Sequence, residues 1–334
     1  MTTVLLDGLG AVGIRAARQL VDSPGLDALL ITGRSSARAE ELADALGDRA
    51  HAVDLGPDDV LPDRLDAVAA ALPAEPGVAL ARRALEASVP FTSTIDDENA
   101  VNALLDLDEQ ARHEGVLFAP SCGLAPGLAD VLARHAADAL DSVDEIHVAR
   151  SGVSGPACLA AARKARREPA LEWHDGAWHE ERRGTAELVW FPDPIGAREC
   201  EPVASGIALL VQAFPGIARA TTRIGELPSR RLTWPGRRAL DEEWGSARVE
   251  VWGWRSRVRE SMVYGVIDRT AVAAGTVLAV AAARLAGAAQ GLGARDGPAG
   301  GVHGLAALVE PVPFLAELAR RGVKAAAFEG VRVA

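Results

Sequence analysis

Cysteine is scarce. Cys122, Cys158 and Cys200 are the three in 334 residues, odd in number and far apart. That excludes a disulfide framework and fits a reduced, cytoplasmic compartment. Basic residues are outnumbered, 35 Lys and Arg against 46 Asp and Glu. The resulting net charge of −11 and pI near 5.2 make a surface that nucleic acid or an anionic membrane would repel, so neither is an expected partner. Long apolar runs are missing too. The longest, Thr270 to Ala283 between Arg269 and Arg284, is too short to cross a bilayer and reads as a buried helix. Met1 leads straight into an apolar run, so no signal peptide is expected. The seven histidines are scattered; His174 and His179 flank a turn with no further ligand at metal spacing, and no metal is expected. No G-x-S-x-G elbow supports serine hydrolysis. Internal repeats and low-complexity linkers are likewise absent. What remains is an ordinary globular composition, 49% hydrophobic and 24% charged, with length enough for two domains and large cores.

Against these absences the N-terminus stands out. Val4-Leu5-Leu6 ends in Asp7, then come Gly8, Gly10 and Gly13, and an Ala/Arg/Leu-rich helical pattern runs through Gln19. Strand, glycine turn and helix in that order are what a dinucleotide-binding site needs. Gly8 permits the tight turn, Gly10 leaves the backbone open to a pyrophosphate, and Gly13 lets the helix pack on the strand. The N–H groups of Ala11 and Val12 then face the phosphates, with the positive end of the helix behind them. Glycine-rich turns also occur without ligands. Here both flanks favour binding.

Ser23-Pro24-Gly25 turns the chain into a second strand, Ala28 to Thr32. Many NAD enzymes place an acid at the end of this strand, about 20 residues beyond the last glycine, for the ribose hydroxyls. This chain has Gly33-Arg34-Ser35-Ser36 there, followed by Arg38. A guanidinium beside hydroxyls suits a 2′-phosphate, so NADP is the expected cofactor and NAD the alternative. The bland reading is a solvated arginine at a helix start. A helix from Ala37 to Leu46, a strand from Ala50 to Val53 and a strand from Asp66 to Leu72, closed by Pro73, continue the alternation. The small residues of this last strand let the backbone pass close to a cofactor, with Leu72 and Pro73 beside it, or serve tight packing within the sheet, and the two are compatible. A helix from Val78 to Ala87, a strand from Pro90 to Thr94, a helix from Asn99 to His113 and a strand from Val116 to Ala119 complete the pattern. Such alternation means a doubly wound parallel sheet, an α/β Rossmann domain over residues 1–122. Asp96-Asp97-Glu98 follows the fifth strand, at the edge that faces the ligand crevice.

Pro120-Ser121-Cys122-Gly123-Leu124-Ala125-Pro126-Gly127-Leu128 is a rigid loop ahead of a helix from Ala129 to Ala139. From here the texture changes. Strand-like stretches dominate Asp144 to Asp268: Glu145 to Ala149, Glu187 to Trp190, Arg248 to Trp254 and Ser261 to Ile267, with one helix from Pro156 to Arg166. Arg248, Glu250 and Trp252 alternate with Val249, Val251 and Gly253, as in a sheet with one buried face. A second, mainly antiparallel α+β domain over 123–268 follows, and the chain turns helical again from Arg269.

With its glycine fingerprint and the loop Cys122-Gly123-Leu124-Ala125-Pro126-Gly127, of the form C/G-G-x-x-P-G, the chain resembles the saccharopine dehydrogenase-like superfamily. Leu171 to Trp178, a hairpin with an Asp-Gly turn, and Gly301 to Gly322, containing PFLAELARRG, look similar as well. The resemblance implies NADP-dependent oxidoreduction at a C–N bond, imine reduction or amine oxidation, of a small amino-acid-like substrate. It also implies a homodimer, with the second domain carrying substrate recognition and subunit contacts, and part of 269–334 packing back on the first domain. It brings the Gly123 end of the loop to the nicotinamide and Pro126 and Gly127 to the substrate. Relatives often carry a histidine where this chain has Ala204-Ser205-Gly206, a departure that bears on the substrate.

One proton must be managed beside the hydride. Asp97 and Asp96 are candidates, with helix capping as the alternative. Cys122 sits at the domain junction, as a participant or as packing. Tyr264, the one tyrosine, lies in a strand and offers a hydroxyl or simply packs. Arg198 is a candidate for a substrate carboxylate, or an idle loop arginine. Two other readings stay open: reduction of a C=O or C=C bond, and a non-catalytic NADP-binding sensor.

Overall fold

A computed structural model of the chain describes residues 1–181, 184–227, 244–287, 299–323 and 325–328. The first half alternates: β1 (Thr3–Asp7), α1 (Ala11–Val21), β2 (Ala28–Thr32), α2 (Ser36–Leu46), β3 (Ala50–Ala52), β4 (Ala67–Ala70) and α3 (Ala74–Glu86). It continues through β5 (Phe91–Ser93), α4 (Glu98–Leu105), α5 (Asp108–His113), β6 (Leu117–Ala119) and α6 (Leu128–Ala137). Next come β7 (Ser142–Ser151), α7 (Pro156–Ala165), β8 (Ala170–His174), β9 (Ala177–Glu181), β10 (Glu187–Trp190) and β11 (Ala197–Pro202). After α8 (Ile207–Ala213) lie β12 (Arg219–Gly225), β13 (Trp244–Arg255) and β14 (Val258–Arg269). The tail holds a helix, Thr270–Leu285, then β15 (Gly301–Val302), the helices Leu305–Leu308 and Pro311–Arg320, and β16 (Ala325–Phe328).

Seven strands form one sheet in the order β15-β6-β5-β4-β1-β2-β3, every pairing parallel. Buried on both faces, its central strands are continuous apolar runs: Val4, Leu5 and Leu6 of β1 and all of β4 are inaccessible. The order reverses between β1 and β4, and a doubly wound sheet opens its ligand crevice at that point.

The second sheet runs β10-β11-β12-β7-β13-β14-β16, with the β8–β9 hairpin attached to β12. It is antiparallel except at β12–β7. The alternation along β13 turns Val249 and Val251 inward, and α6 covers that face. Asp175 and Gly176, both at positive φ (49° and 82°), make the two-residue hairpin turn that their sequence demands.

Three differences from the sequence reading have local causes. The helix expected over Asn99 to His113 is two, α4 and α5, because Asp108 leaves the first helical run and accepts from Val302 N at 2.8 Å. The α3 helix starts at Ala74, four residues before the expected Val78; its Pro76 lies in the first turn, where no N–H is required. The strands β11 and β12 and the helix α8 escaped notice, since ARECEP and RATTRIG mix charge and proline with little periodicity.

The tail ties the two halves together. The Thr270–Leu285 helix lies on α1 so closely that a Cβ on Gly275 would meet Val12 O at 2.8 Å and Arg15 Cβ at 2.7 Å. β15 then adds a parallel strand beside β6. Among the described residues no helix is long and apolar enough to cross a membrane.

Candidate functional site

The glycine turn between β1 and α1 divides its three glycines by task. Gly8 has φ +122°, and a Cβ there would stand 2.4 Å from Ala71 O. On Gly13 a Cβ would stand 1.8 Å from Gly8 O. Both are reserved for glycine by backbone, which cannot move aside. Gly10 is different: a Cβ there would meet nothing within 4 Å. It caps α1 with no side-chain cap and no acid in the first turn, leaving the helix's first donors to whatever enters. What they face is a cleft of about 480 Å³, shared by Gly10, Ala11 and Val12 with the second sheet.

The far wall of the same cleft is made by β7, α7 and the loop Gly123–Pro126. The loop is held from within. A Cβ on Gly127, at φ +116°, would come 2.5 Å from both Gly123 O and Ser121 O, and Gly127 N donates to Asp130 Oδ2 at 3.0 Å. Ser121 Oγ ties the loop to Ile95 O at 2.6 Å. Burial pushes the Asp130 carboxyl up to about 7, opposed by that single backbone donor.

Three consecutive acids join the walls. Asp96 Oδ2 pairs with Arg150 Nη2 of β7 at 2.8 Å, and Asp97 Oδ2 with Lys164 Nζ of α7 at 2.5 Å. Glu98, buried, accepts from Ile207 N at 3.1 Å and Ala208 N at 3.0 Å, the first residues of α8. Each acid thus grips a different element of the second half. Asp97 also caps α4, accepting from Ala100 N at 3.1 Å. Its hydrogen bond holds the Lys164 ammonium above the ordinary lysine range, while burial pushes the Glu98 carboxyl up. Ser205 donates to Asp96 O at 3.1 Å, and Arg150 Nη2 reaches its hydroxyl at 3.4 Å.

The cleft collects many of the residues singled out from sequence. Gly10, Ala11, Val12, Leu72 and Pro73 line one side; Asp96, Asp97, Gly123 and Pro126 line the other. Gly8, Gly13 and Gly127 stand behind the lining and shape it. Gly33, Arg34 and Ser35 lie at the end of β2. Ser35 Oγ caps α2 by accepting from Arg38 N at 3.4 Å, Arg34 is exposed, and Arg38 Nη2 donates back to Leu9 O at 3.1 Å inside the glycine turn.

Gly33, Arg34 and Ser35 are outside the cleft lining, and three catalytic or substrate candidates are not brought to it either. Cys122 is fully buried behind the loop, 3.1 Å from Thr92 Oγ1 and 3.2 Å from Ala119 O, and burial pushes its thiol up to about 12. Tyr264 lies on β14 with its ring against His135, 5.3 Å between centroids. Arg198 is exposed on β11 and donates to its neighbour Ala197 O at 2.9 Å. The reason is alike for Tyr264 and Arg198: each sits on a strand of the second sheet separated from β7, the strand that reaches the cleft, by one other, β13 or β12. In their place the structure supplies Arg150 and Lys164. Lys164 carried a signal in the sequence, since Lys164 and Lys324 are the chain's only lysines. Arg150, one arginine among many, carried none. Among the described residues no group of three or more His, Cys, Asp or Glu comes together to hold a metal.

No protein-family model matches the chain. Its fold is nevertheless found among solved structures. Apo saccharopine dehydrogenase (L-Glu forming) from Saccharomyces cerevisiae superposes with a TM-score of 0.69 at 15% identity, covering 98% of this chain and 100% of that one. Amine dehydrogenase from Mycobacterium smegmatis gives 0.54 at 12% identity, over 92% of this chain and 96% of that one. The C. glutamicum DAP dehydrogenase, in complex with DAP, gives 0.52 at 15% identity, over 96% and 99%. The chain therefore has a saccharopine dehydrogenase-like fold, a Rossmann-type parallel sheet joined to a second, mixed sheet.

Proposed function

We propose that the cleft binds a nicotinamide dinucleotide, NADP in preference to NAD, and that the protein is an oxidoreductase acting on a carbon–nitrogen bond of a small molecule. One observation carries the reading: a single cleft runs from the open glycine of a dinucleotide turn to an aspartate–lysine pair. The residues fit the cofactor. Gly10 leaves space where any side chain would intrude, and the uncapped start of α1 offers Ala11 and Val12 N–H groups to a pyrophosphate. Arg34, exposed beside the Ser35 cap, suits a 2′-phosphate. Leu72, Pro73 and the Gly123–Pro126 loop form the walls toward the reacting end. Bound there, the cofactor supplies or accepts the hydride.

The chain's own part is alignment and one proton. Imine reduction adds a hydride to carbon and leaves the nitrogen protonated; amine oxidation reverses both transfers. A carboxylate beside the reacting carbon favours the cationic iminium, and Asp97 is the carboxylate in place. The hydrogen bond to Asp97 holds the Lys164 ammonium above the ordinary lysine range, so the proton-bearing member of the pair is Lys164, at Nζ. Three solved proteins of the same fold carry dehydrogenase names, one of them an amine dehydrogenase, which supports the reaction class. Carbonyl reduction through Tyr264 has less support, because that hydroxyl stands on β14 away from the cleft lining. A sensor that only binds NADP needs no acid–base pair at the reacting end.

The test is the nicotinamide absorbance in the presence of a panel of amines and cyclic imines. Substrate-dependent change at that wavelength is expected. Tight cofactor binding with no turnover by any of them would leave the sensor.

A further inference from the structure

Among the described charged residues of the cleft lining two are cations, Arg150 and Lys164, and each already holds an aspartate. Arg150 is the deeper. Its side chain is 12% exposed, its Nη2 is committed to Asp96 and reaches Ser205, and its Nε is buried without a hydrogen-bond partner. Lys164, at the mouth, is shared between Asp97 and Glu168, at 2.5 Å and 3.5 Å. An amino acid binding here would bring a further carboxylate to two cations that two aspartates already balance. Such a charge, taken out of water beside the carboxylates Glu75, Asp96 and Asp97, is strongly disfavoured. Beside the uncharged hydroxyls of Thr94, Ser151, Ser154 and Thr270, the reacting end carries apolar side chains: Ile95 and Leu124 on one side, Cys158 and Ala161 of α7 on the other. Its helical wall presents small side chains, which leaves room for bulk. Pro156, first in α7, removes one of the N–H donors that a helix start would otherwise turn on a carboxylate.

We propose that the reacting end of the cleft takes an apolar amine or imine that carries no carboxylate. The proposal rests on the C–N reading above and narrows its substrate class. The expectation of an amino-acid-like substrate, drawn from resemblance alone, gives way to it. The reacting nitrogen itself suits the site when cationic, because the lining carboxylates Asp96, Asp97 and Glu75 outnumber its cations.

The experiment compares two imines that differ in one group, 1-methyl-3,4-dihydroisoquinoline and 3,4-dihydroisoquinoline-1-carboxylate. Binding of each is measured by calorimetry to the full chain loaded with NADP⁺, a cofactor form that cannot reduce them. The methyl compound should bind at least about tenfold more tightly than the carboxylate, the penalty of one poorly paired charge. Asp96→Asn frees Arg150 and should narrow that preference by about tenfold or reverse it. Equal or tighter binding of the carboxylate by the unaltered protein, or no binding of either compound, would overturn the proposal, and that measurement decides it even where the variant fails to fold. Turnover with NADPH is read separately. If the methyl imine binds and is not reduced, the C–N reading fails while the apolar, carboxylate-free pocket stands.

Discussion

The two ends of one cleft are built by different means. The end at the glycine turn is backbone: three glycines, a helix start, and a carbonyl packed where a Cβ would go. No charged side chain belongs to the turn itself between Gly8 and Gly13. The reacting end is side chains, and its key pairs join residues distant in sequence, Asp96 with Arg150 and Asp97 with Lys164. A backbone device tolerates almost no substitution and confers one generic capacity, anion binding. A side-chain device can be retuned residue by residue and sets the substrate. On the proposed function, that division lets the fold hold a cofactor at one end and vary its substrate at the other.

The largest effect should come from breaking the backbone end. Gly13→Ala puts a Cβ 1.8 Å from Gly8 O, so the turn must open. We expect loss of cofactor binding together with several kcal/mol of stability, about 3 or more, as for other overpacked backbone sites, read by calorimetry and thermal unfolding. Gly10→Ala sharpens the contrast. Its Cβ meets nothing in the protein, so the melting temperature should hold while cofactor affinity falls by about tenfold or more. A Gly10→Ala protein that binds NADPH normally would remove the pyrophosphate from this turn.

Next is the loop between the ends. The folded pKa of Asp130, about 7, lies above its ordinary 3.8. A raised carboxyl contributes stability that is complete below the unfolded value and lost as pH rises through the folded one. The protein should therefore lose stability relative to Asp130→Asn between about pH 4 and pH 8, by about 2–4 kcal/mol. Asparagine can still accept from Gly127 N. Parallel stability curves for the two proteins across that range would show that Asp130 stays ionised in the fold.

At the reacting end, Asp97→Asn should lower imine turnover by about 10²-fold or more while leaving NADPH affinity intact. Tyr264→Phe should be nearly silent. The opposite pattern, full turnover in the first and none in the second, would move the chemistry to carbonyl reduction. Asp97→Asn also weakens the cap on α4, so both proteins need a stability check beside the kinetics. A comparable or smaller effect belongs to the ribose end: Arg34→Ala should weaken NADPH binding by about 1.5–3 kcal/mol and hardly touch NADH. Equal affinity of the unaltered protein for the two cofactors would dismiss the 2′-phosphate role.

Much of the first sheet was legible before any coordinates. The apolar runs of β1, β2 and β4, the proline and glycine punctuation and the fingerprint are local patterns, and local patterns report local backbone needs. The Asp175-Gly176 hairpin was legible for the same reason. The helix break at Asp106 and Leu107 was not, because its cause is Val302, a strand added from the far end of the chain. Nor could the candidates be sorted. Asp97 and Tyr264 looked comparable as chemical groups, and only the packing of β7 and α7 against the β5 end separates a cleft aspartate from a sheet tyrosine.

By itself, then, the chain's sequence determined a glycine turn between strand and helix, an alternating parallel sheet and a change to strand-rich texture beyond Gly127, since each depends on neighbours within a few residues. Only the tertiary structure decided that Arg150 and Lys164 are the cations of the cleft, that both are matched by aspartates, and that Cys122 and Arg198 stand apart from it. Charge pairing and burial are set by distances in space, and for residues separated by a whole sheet those distances leave no mark on sequence spacing.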